Sequence, residues 1–360
     1  MPLVQLSPHS LISLPRHPDL VPCRPVSSIQ EQIRDVLQEA HEILASLPSE
    51  LKAETKLRKS FPSDAKVQLS QGWRTPLRSE PNAQKEYWVC RESEHVDSNC
   101  GNGSATWQEF QNGLHHDHAR NEQEYTPTVT RVVNLFDWTN GEEEHLGQPF
   151  EIGDTRYSHF DAKLNLIVHH FKPDGLIQPR AFVSLTISAA TMSLAARDPQ
   201  NPETRQATEG FVTVQVPYQK FNDNFPSDKF ITLYAKIDCN VPHGVIFGNY
   251  ASVERVELLV LPRDRSGSVV STSASTAGDN IGQTKTLSSI STSAPVSTDR
   301  RVKWTMATTS DAAGDIPGWV QRSWILGGVP KAVVADVGLF IGWVAQRRGR
   351  LVSRREEGEA

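Results

Sequence analysis

The segment that most constrains the fold lies near the C-terminus. Val302-Lys303-Trp304-Thr305-Met306-Ala307-Thr308 reads as a strand, Ser310-Asp311-Ala312-Ala313-Gly314-Asp315 as a turn, and a long amphipathic helix is expected from about Ile316-Pro317-Gly318-Trp319-Val320. Strand side chains alternate between faces, so Val302, Trp304, Met306 and Thr308 share one face while Lys303 and Thr305 share the other. Val333, Val337, Phe340, Ile341 and Val344 recur at spacings of three and four, which draws an apolar stripe along one side of a helix. A sheet face and a helix stripe of this kind must meet. The chain is therefore expected to end in a helix laid across a sheet, and the space between the two is a candidate ligand cavity.

Long strands precede that ending. Aromatic and β-branched runs predict strands over 86–92, 128–138, 156–171, 180–192, 211–216, 245–261 and 301–309. Trp107, Phe110 and Leu114 place a helix over 105–121, and Ile29, Ile33, Val36, Leu37, Ala40, Ile43 and Leu44 form a second helical stripe after a capping-box spacing from Ser28 to Glu31. Helices against an antiparallel sheet make an α+β layout. Residues 1–26, dense in Pro, Ser and Leu, are expected to form an extended arm, and residues 27–85 a helical extension followed by a charge-rich, partly ordered connection. Residues 86–346 then hold the main domain, and 347–360 a charged tail. Within the domain, 264–300 is dominated by Ser, Thr, Ala and Gly and cannot bury enough apolar surface to offset its ordering entropy, so it is expected to be a disordered insert.

Composition excludes several functions. The net charge of −5 and the lack of a basic stripe with interleaved aromatics argue against nucleic acid as a partner. Four scattered cysteines without CxxC spacing suit a reducing compartment, and the N-terminus lacks the basic start and continuous apolar core of a secretory signal, so a cytoplasmic protein is expected. The apolar run 325–344 is interrupted by Pro330, Lys331 and Asp336. Each central charge costs about 2.5–3.5 kcal/mol to insert into a bilayer, so an amphipathic surface helix is expected rather than a membrane anchor.

No Gly-x-Ser-x-Gly elbow, Walker loop or dinucleotide fingerprint is present, which removes the commonest hydrolases, kinases and dehydrogenases. His115-His116-Asp117-His118, with Glu122 and Glu124, has metal-like composition, but it sits toward the end of a polar helix where histidines are usually solvated; no metal and no cofactor are expected. In the strand at 156–171, Phe160, Ala162, Leu164, Leu166 and Val168 form an apolar face ended by His170, and the polar positions His159, Asp161, Lys163 and Asn165 should meet water. Ala181, Val183, Leu185 and Ile187 continue the apolar face, with Arg180 at the strand's mouth. Tyr250, Ser252 and Arg255, then Trp304, Met306 and Trp319, complete a mostly apolar wall with a few polar handles, suited to an amphipathic ligand. Asp315 is expected to cap the closing helix, with Pro317 in its first turn.

Several of these segments carry a resemblance. Trp304-Thr305-Met306-Ala307-Thr308-Thr309-Ser310-Asp311-Ala312-Ala313-Gly314-Asp315-Ile316-Pro317-Gly318-Trp319-Val320-Gln321 and Phe340-Ile341-Gly342-Trp343 resemble the C-terminal signature of a largely fungal domain-of-unknown-function family placed in the START-like superfamily. Tyr87-Trp88-Val89-Cys90-Arg91, Glu124-Tyr125-Thr126-Pro127, Pro179-Arg180-Ala181-Phe182-Val183 and Gly248-Asn249-Tyr250-Ala251-Ser252 follow the same family order. The resemblance implies a START-like helix-grip fold, a curved antiparallel sheet closed by the long C-terminal helix. It also implies binding, and transfer, of a lipid, sterol or other hydrophobic small molecule, with transient membrane contact, by a monomer. On this reading His170, Arg180, Tyr250, Ser252, Arg255, Trp304, Met306 and Trp319 are the ligand-binding candidates, and no residue is assigned a catalytic role. Two alternatives stay open: a cyclase- or hydratase-like enzyme using a pair such as His170 and Tyr250, and an interaction module with a packed interior.

Overall fold

The computed structural model describes residues 2–17, 28–80, 82–139, 146–171, 177–195, 206–219, 228–260 and 300–358. Helix α1 spans Ile29–Glu50 and starts at the expected capping box, in which Ser28 accepts from the Glu31 amide and Glu31 accepts from the Ser28 amide. Eight long strands follow: β1 (Lys66–Arg74), β2 (Glu86–Val96), β3 (Val129–Asp137), β4 (Thr155–His169), β5 (Arg180–Ser193), β6 (Gln206–Gln219), β7 (Asn249–Val260) and β8 (Arg300–Asp311). They pair antiparallel in the order β1-β2-β8-β7-β6-β5-β4-β3, forming one large curved sheet. Shorter helices are α2 (Trp107–Phe110), α3 (His118–Tyr125), α4 (Asp228–Asp238) and α5 (Gly318–Gln321), and α6 (Val329–Gly358) is the long C-terminal helix.

Each sheet face buries a different apolar layer. On one, Ile33, Val36, Leu37, Ala40 and Ile43 of α1 pack over Leu164, Leu166, Val183, Leu185, Val214, Val216, Ala251 and Val253. On the other, Val333, Val337, Phe340, Ile341 and Val344 of α6 pack with Val89, Phe110, Phe211, Val256, Val302 and Trp304. Phe110, Trp304 and Phe340 form a ring triad with centroids 5.1–5.7 Å apart, inside the range where edge-to-face pairs add to area burial. Gly338 lets α6 approach the Ser60–Pro62 segment closely: its amide donates to Ser60 Oγ at 2.8 Å, and a Cβ there would meet the Phe61 carbonyl at 2.3 Å. By length and composition the window Val329–Arg350 could cross a membrane, but half of it is buried inside the fold.

Four departures from the sequence reading have local causes. The single helix expected over 105–121 is broken into α2, a wider turn at Gln111–His115, and α3, with Asp117 between them in left-handed conformation at φ 49°. Asn121 stabilises the break by donating to the carbonyls of Asn112, Gly113 and His116. The long helix expected from Ile316 begins only at Val329, because Gly327 turns at φ 81° after the short α5 and Pro330 suits the first turn of a new helix. Asp315 does not cap it; the cap of α5 is Pro317, and Asp311 accepts from Ala313 in the preceding turn. The connection before residue 85 contains strand β1, whose Val67 and Leu69 are buried.

The arm at 2–17 is packed rather than loose, with Val4, Leu11 and Leu14 buried and His9–Ser10 pairing parallel to Tyr218–Gln219. The charged tail prolongs α6 to Gly358, and Arg348 is clamped by the Glu109 carboxylate. Apart from Arg300, the Ser/Thr-rich segment 264–300 lies outside the described residues.

Candidate functional site

Which face carries the site is decided by what covers it. The apolar face of β4 and β5 expected to wall a ligand cavity is instead the face covered by α1, and Phe160, Ala162, Leu164, Leu166, Ala181, Leu185 and Ile187 are core residues at 3% exposure or less. The alternate positions, expected to meet bulk water, turn toward the side that bears α3 and α6. Asp161, Lys163 and Asn165 of β4 and Thr186 and Ser188 of β5 line a cleft of about 400 Å³ there, together with His115, His118 and Arg120 from the α3 region and Asn134 and Asp137 of β3. An alternating strand pattern separates two faces but does not say which faces a cavity and which faces another element. Lys163 Nζ lies 3.1 Å from Asp161 and 3.3 Å from Asp117, so the cleft carries paired charges and amide and hydroxyl groups.

Further in, a smaller void of about 20 Å³ is lined by Arg91, His118, Glu122, Tyr125, Thr213, Gln215, Tyr250, Ser252, Glu254, Trp304, Met306 and Asp336. Six elements place these groups: β2, α3, β6, β7, β8 and α6. Glu254 Oε1 accepts from Trp304 Nε1 at 2.7 Å and from Arg91 Nη2 at 3.3 Å, and the Arg91 guanidinium lies 3.8 Å from the Trp304 ring centroid. That pairing keeps both charges in a largely dry site, where an isolated one would be costly. Arg91 is 1% exposed, yet its Nε and Nη1 find no protein acceptor.

His118 belongs to both cavities. Its Nδ1 lies 3.0 Å from the Leu114 carbonyl, which can only accept, so Nδ1 donates there, and Nε2 lies 4.0 Å from Glu122. Burial raises the Asp336 carboxyl to about 7, the neighbouring Glu122 and Glu254 reinforce that rise, and Arg91 opposes it. Burial likewise raises Glu122, with His118 opposing and Glu254 adding to the rise. Three carboxyls, an imidazole and a guanidinium thus face one another at the inner end of the cleft.

Of the eight expected ligand residues, Tyr250, Ser252, Trp304 and Met306 come together on this inner void. The other four go elsewhere. Arg180 is buried and spent on the backbone, with Nε donating to the Ala312 carbonyl at 2.6 Å and so holding the β8–α5 turn. Arg255 points to the α1 side, where it pairs with Glu257 at 3.2 Å and lines a separate 60 Å³ hollow near Tyr157. His170 is exposed at the end of β4, and Trp319 is 63% exposed on α5. Glu254 takes its arginine partner neither from Arg180 nor from Arg255 but from β2, where Arg91 reaches it from two strands away. Sequence reasoning missed Arg91, His118, Glu122, Glu254 and Asp336 as a group; Arg91, Glu254 and Asp336 stand out as charges within largely apolar segments, whereas His118 and Glu122 lie in a polar run that carries no such signal. His115, also of the metal-like run, stacks on Phe211 instead, and among the described residues no His/Cys/Asp/Glu group has metal-holding geometry.

Every residue lining the cleft and the inner void falls within one family match. A model for the family described as "Protein of unknown function (DUF3074)" covers residues 88–344. The chain belongs to the DUF3074 family. No curated protein matches this DUF3074 chain significantly. Among solved structures it is similar to human StAR-related lipid transfer protein 5, at 10% identity and a TM-score of 0.39, covering 89% of this chain and 99% of that one. It is also similar to human STARD10, at 10% identity and a TM-score of 0.37, with coverage of 88% and 84%. Similarity of that degree transfers no ligand and no activity.

Proposed function

We propose that this DUF3074 protein is a ligand-binding domain of helix-grip type, and that its ligand is a compact amphipathic molecule recognised by a hydrogen-bonding head in the cleft beneath α3. The observation that carries the reading is the cleft itself: about 400 Å³ of space on the α6 side, lined by Lys163, Asn165, Thr186 and Ser188, beside a sheet whose opposite face is filled by α1. That volume sits near the lower end of the roughly 300–1,000 Å³ typical of small-molecule sites, and a few placed polar groups are what orient a ligand in them. The lipid, sterol or other hydrophobic ligand implied by the sequence resemblance is thereby narrowed. Neither described cavity on the α6 side is a purely apolar chamber, so the ligand must offer polar atoms to the wall while its apolar part meets Ala119 and Val132.

Mass spectrometry of organic and aqueous extracts of the protein purified from its native host tests this. A retained small molecule is expected, with its affinity cut at least about tenfold by Asn165→Leu with Ser188→Val and unchanged by Arg255→Ala on the far face. Absence of any retained compound, or equal binding by the two variants, overturns it.

A second reading, chemistry on the bound molecule, is favoured by one observation: His118 lines both the cleft and the inner charged cluster. It replaces the pair His170 and Tyr250, since His170 lies outside both cavities. Incubation of the extracted ligand with the protein decides it. Turnover that His118→Gln abolishes while binding persists supports catalysis, and recovery of unchanged ligand rejects it.

A further inference from the structure

Large apolar side chains are exposed on one compact turn of this fold, and nothing in the ligand site uses them. Among the described residues ten large hydrophobics are well exposed, and three of them, Trp319 (63%), Ile325 (87%) and Leu326 (54%), fall within eight residues of the α5–α6 connection. The connection is a built turn: Val320 donates to Pro317, Ser323 to Val320 and Gly328 to Ser323 through backbone bonds of 2.8–3.0 Å. A fourth exposed hydrophobic, Trp73 (52%), is tied to the same turn because the Arg322 guanidinium lies 5.1 Å from its ring centroid and 5.5 Å from that of Tyr87. A monomer rarely leaves clustered aromatic and aliphatic side chains in water without a partner.

The charge around the turn says which partner. Between Asp315 and Asp336 the sequence has no acidic residue but has Arg322 and Lys331. Lys331 is exposed in the first turn of α6, and Arg58 lies over the ring of Trp324 at 4.1 Å. Arg58 is already paired with Glu54, but Arg322 and Lys331 have no ion-pair partner among the described residues, and exposed Trp, Ile and Leu beside two such cations match an interface whose outer layer is anionic and whose interior is apolar. We propose that the α5–α6 turn, residues 318–331, is a docking surface for an anionic lipid bilayer, with Trp319, Ile325 and Leu326 entering the headgroup boundary and Arg322 and Lys331 facing lipid phosphates. The surface adjoins α6, the helix that covers the inner void, so docking and access to the ligand site share one element.

Co-sedimentation of the full chain with sucrose-loaded vesicles tests the proposal, using phosphatidylcholine alone and phosphatidylcholine with about 30% phosphatidylserine. Binding is expected on the mixed vesicles and little on the neutral ones. Replacing Trp319, Ile325 and Leu326 together by Ser should weaken binding at least about tenfold. Neutralising Lys331 by Gln should weaken it about fivefold on anionic vesicles only, the worth of one cation near such a surface. Ser replacements at the exposed Met192 and Leu194, remote from the turn in sequence, should leave it unchanged, and circular dichroism checks that all variants fold. The proposal is overturned if the wild-type chain ignores anionic vesicles, if the Ser variant binds as well as wild type, or if sedimentation velocity shows the turn joining two copies of the chain instead. These outcomes are independent of whether a ligand occupies the cleft.

Discussion

Asp336 offers the sharpest test of how the inner cluster is built. Its carboxyl projects from the closing helix α6 toward Glu122 and His118 of α3, Glu254 of β7 and Arg91 of β2. In the unfolded chain it loses its proton near 3.8, whereas the fold holds that proton to about 7, chiefly because burial penalises the charged form. The stabilising contribution is therefore complete below about pH 4, declines as pH rises, and is gone above about 7. A displacement of about three pH units at about 1.4 kcal/mol each sets a ceiling of about 4 kcal/mol, of which up to about 3 kcal/mol falls between pH 5 and 8. Asp336 retains some surface access, and screening keeps the real figure below the ceiling. Asp336→Asn removes the ionisation without removing the side chain. Urea unfolding at pH 5 and pH 8 should show the wild type losing stability relative to Asp336→Asn, and deuterium exchange of residues 329–344 should quicken at the higher pH in the wild type alone. If the two proteins lose stability in parallel between those pH values, the Asp336 carboxyl is solvated and its burial in the inner cluster is refuted.

The remaining predictions concern what the cluster and the closing helix contribute to stability. Arg91→Leu strands the Glu254 carboxylate with only the Trp304 indole as donor and should cost about 3–5 kcal/mol in urea unfolding; adding Glu254→Leu should recover part of that loss, since a buried pair replaced whole by apolar groups is often near neutral. Phe340→Ala removes the ring shared by Phe110, Trp304, Tyr125 and Trp343 and should cost about 3–5 kcal/mol, read from the same titration.

The sheet was largely legible because its strands are long and their alternation is regular. Seven of the eight long strands lie where β-branched and aromatic runs place them, and the stripe Val333, Val337, Phe340, Ile341, Val344 does pack on the face bearing Val302 and Trp304. Strand β1 hid inside a charged segment, where Val67 and Leu69 supply only two buried positions of a period-two signal. The site was half legible. Tyr250, Ser252, Trp304 and Met306 share one face by parity alone, so their convergence follows from local geometry. Arg91, His118 and Asp336 reach the same void from elements far apart in sequence, and only the strand order brings them there. The apolar face misled for a related reason: a one-dimensional pattern marks Leu164 and Leu185 as buried, but only tertiary packing reveals that α1 is what buries them.

That covering helix has a practical consequence. The family match begins at Trp88, yet α1 and β1 lie before it, supplying the lid of one hydrophobic layer and the hydrogen-bonding neighbour of β2. A chain cut to start at Trp88 would present a bare greasy sheet and an unpaired backbone ladder, a surface prone to self-association. The matched segment is thus smaller than the packed unit, and residues 2–17 and 28–80 belong to it as fully as the helix that closes it.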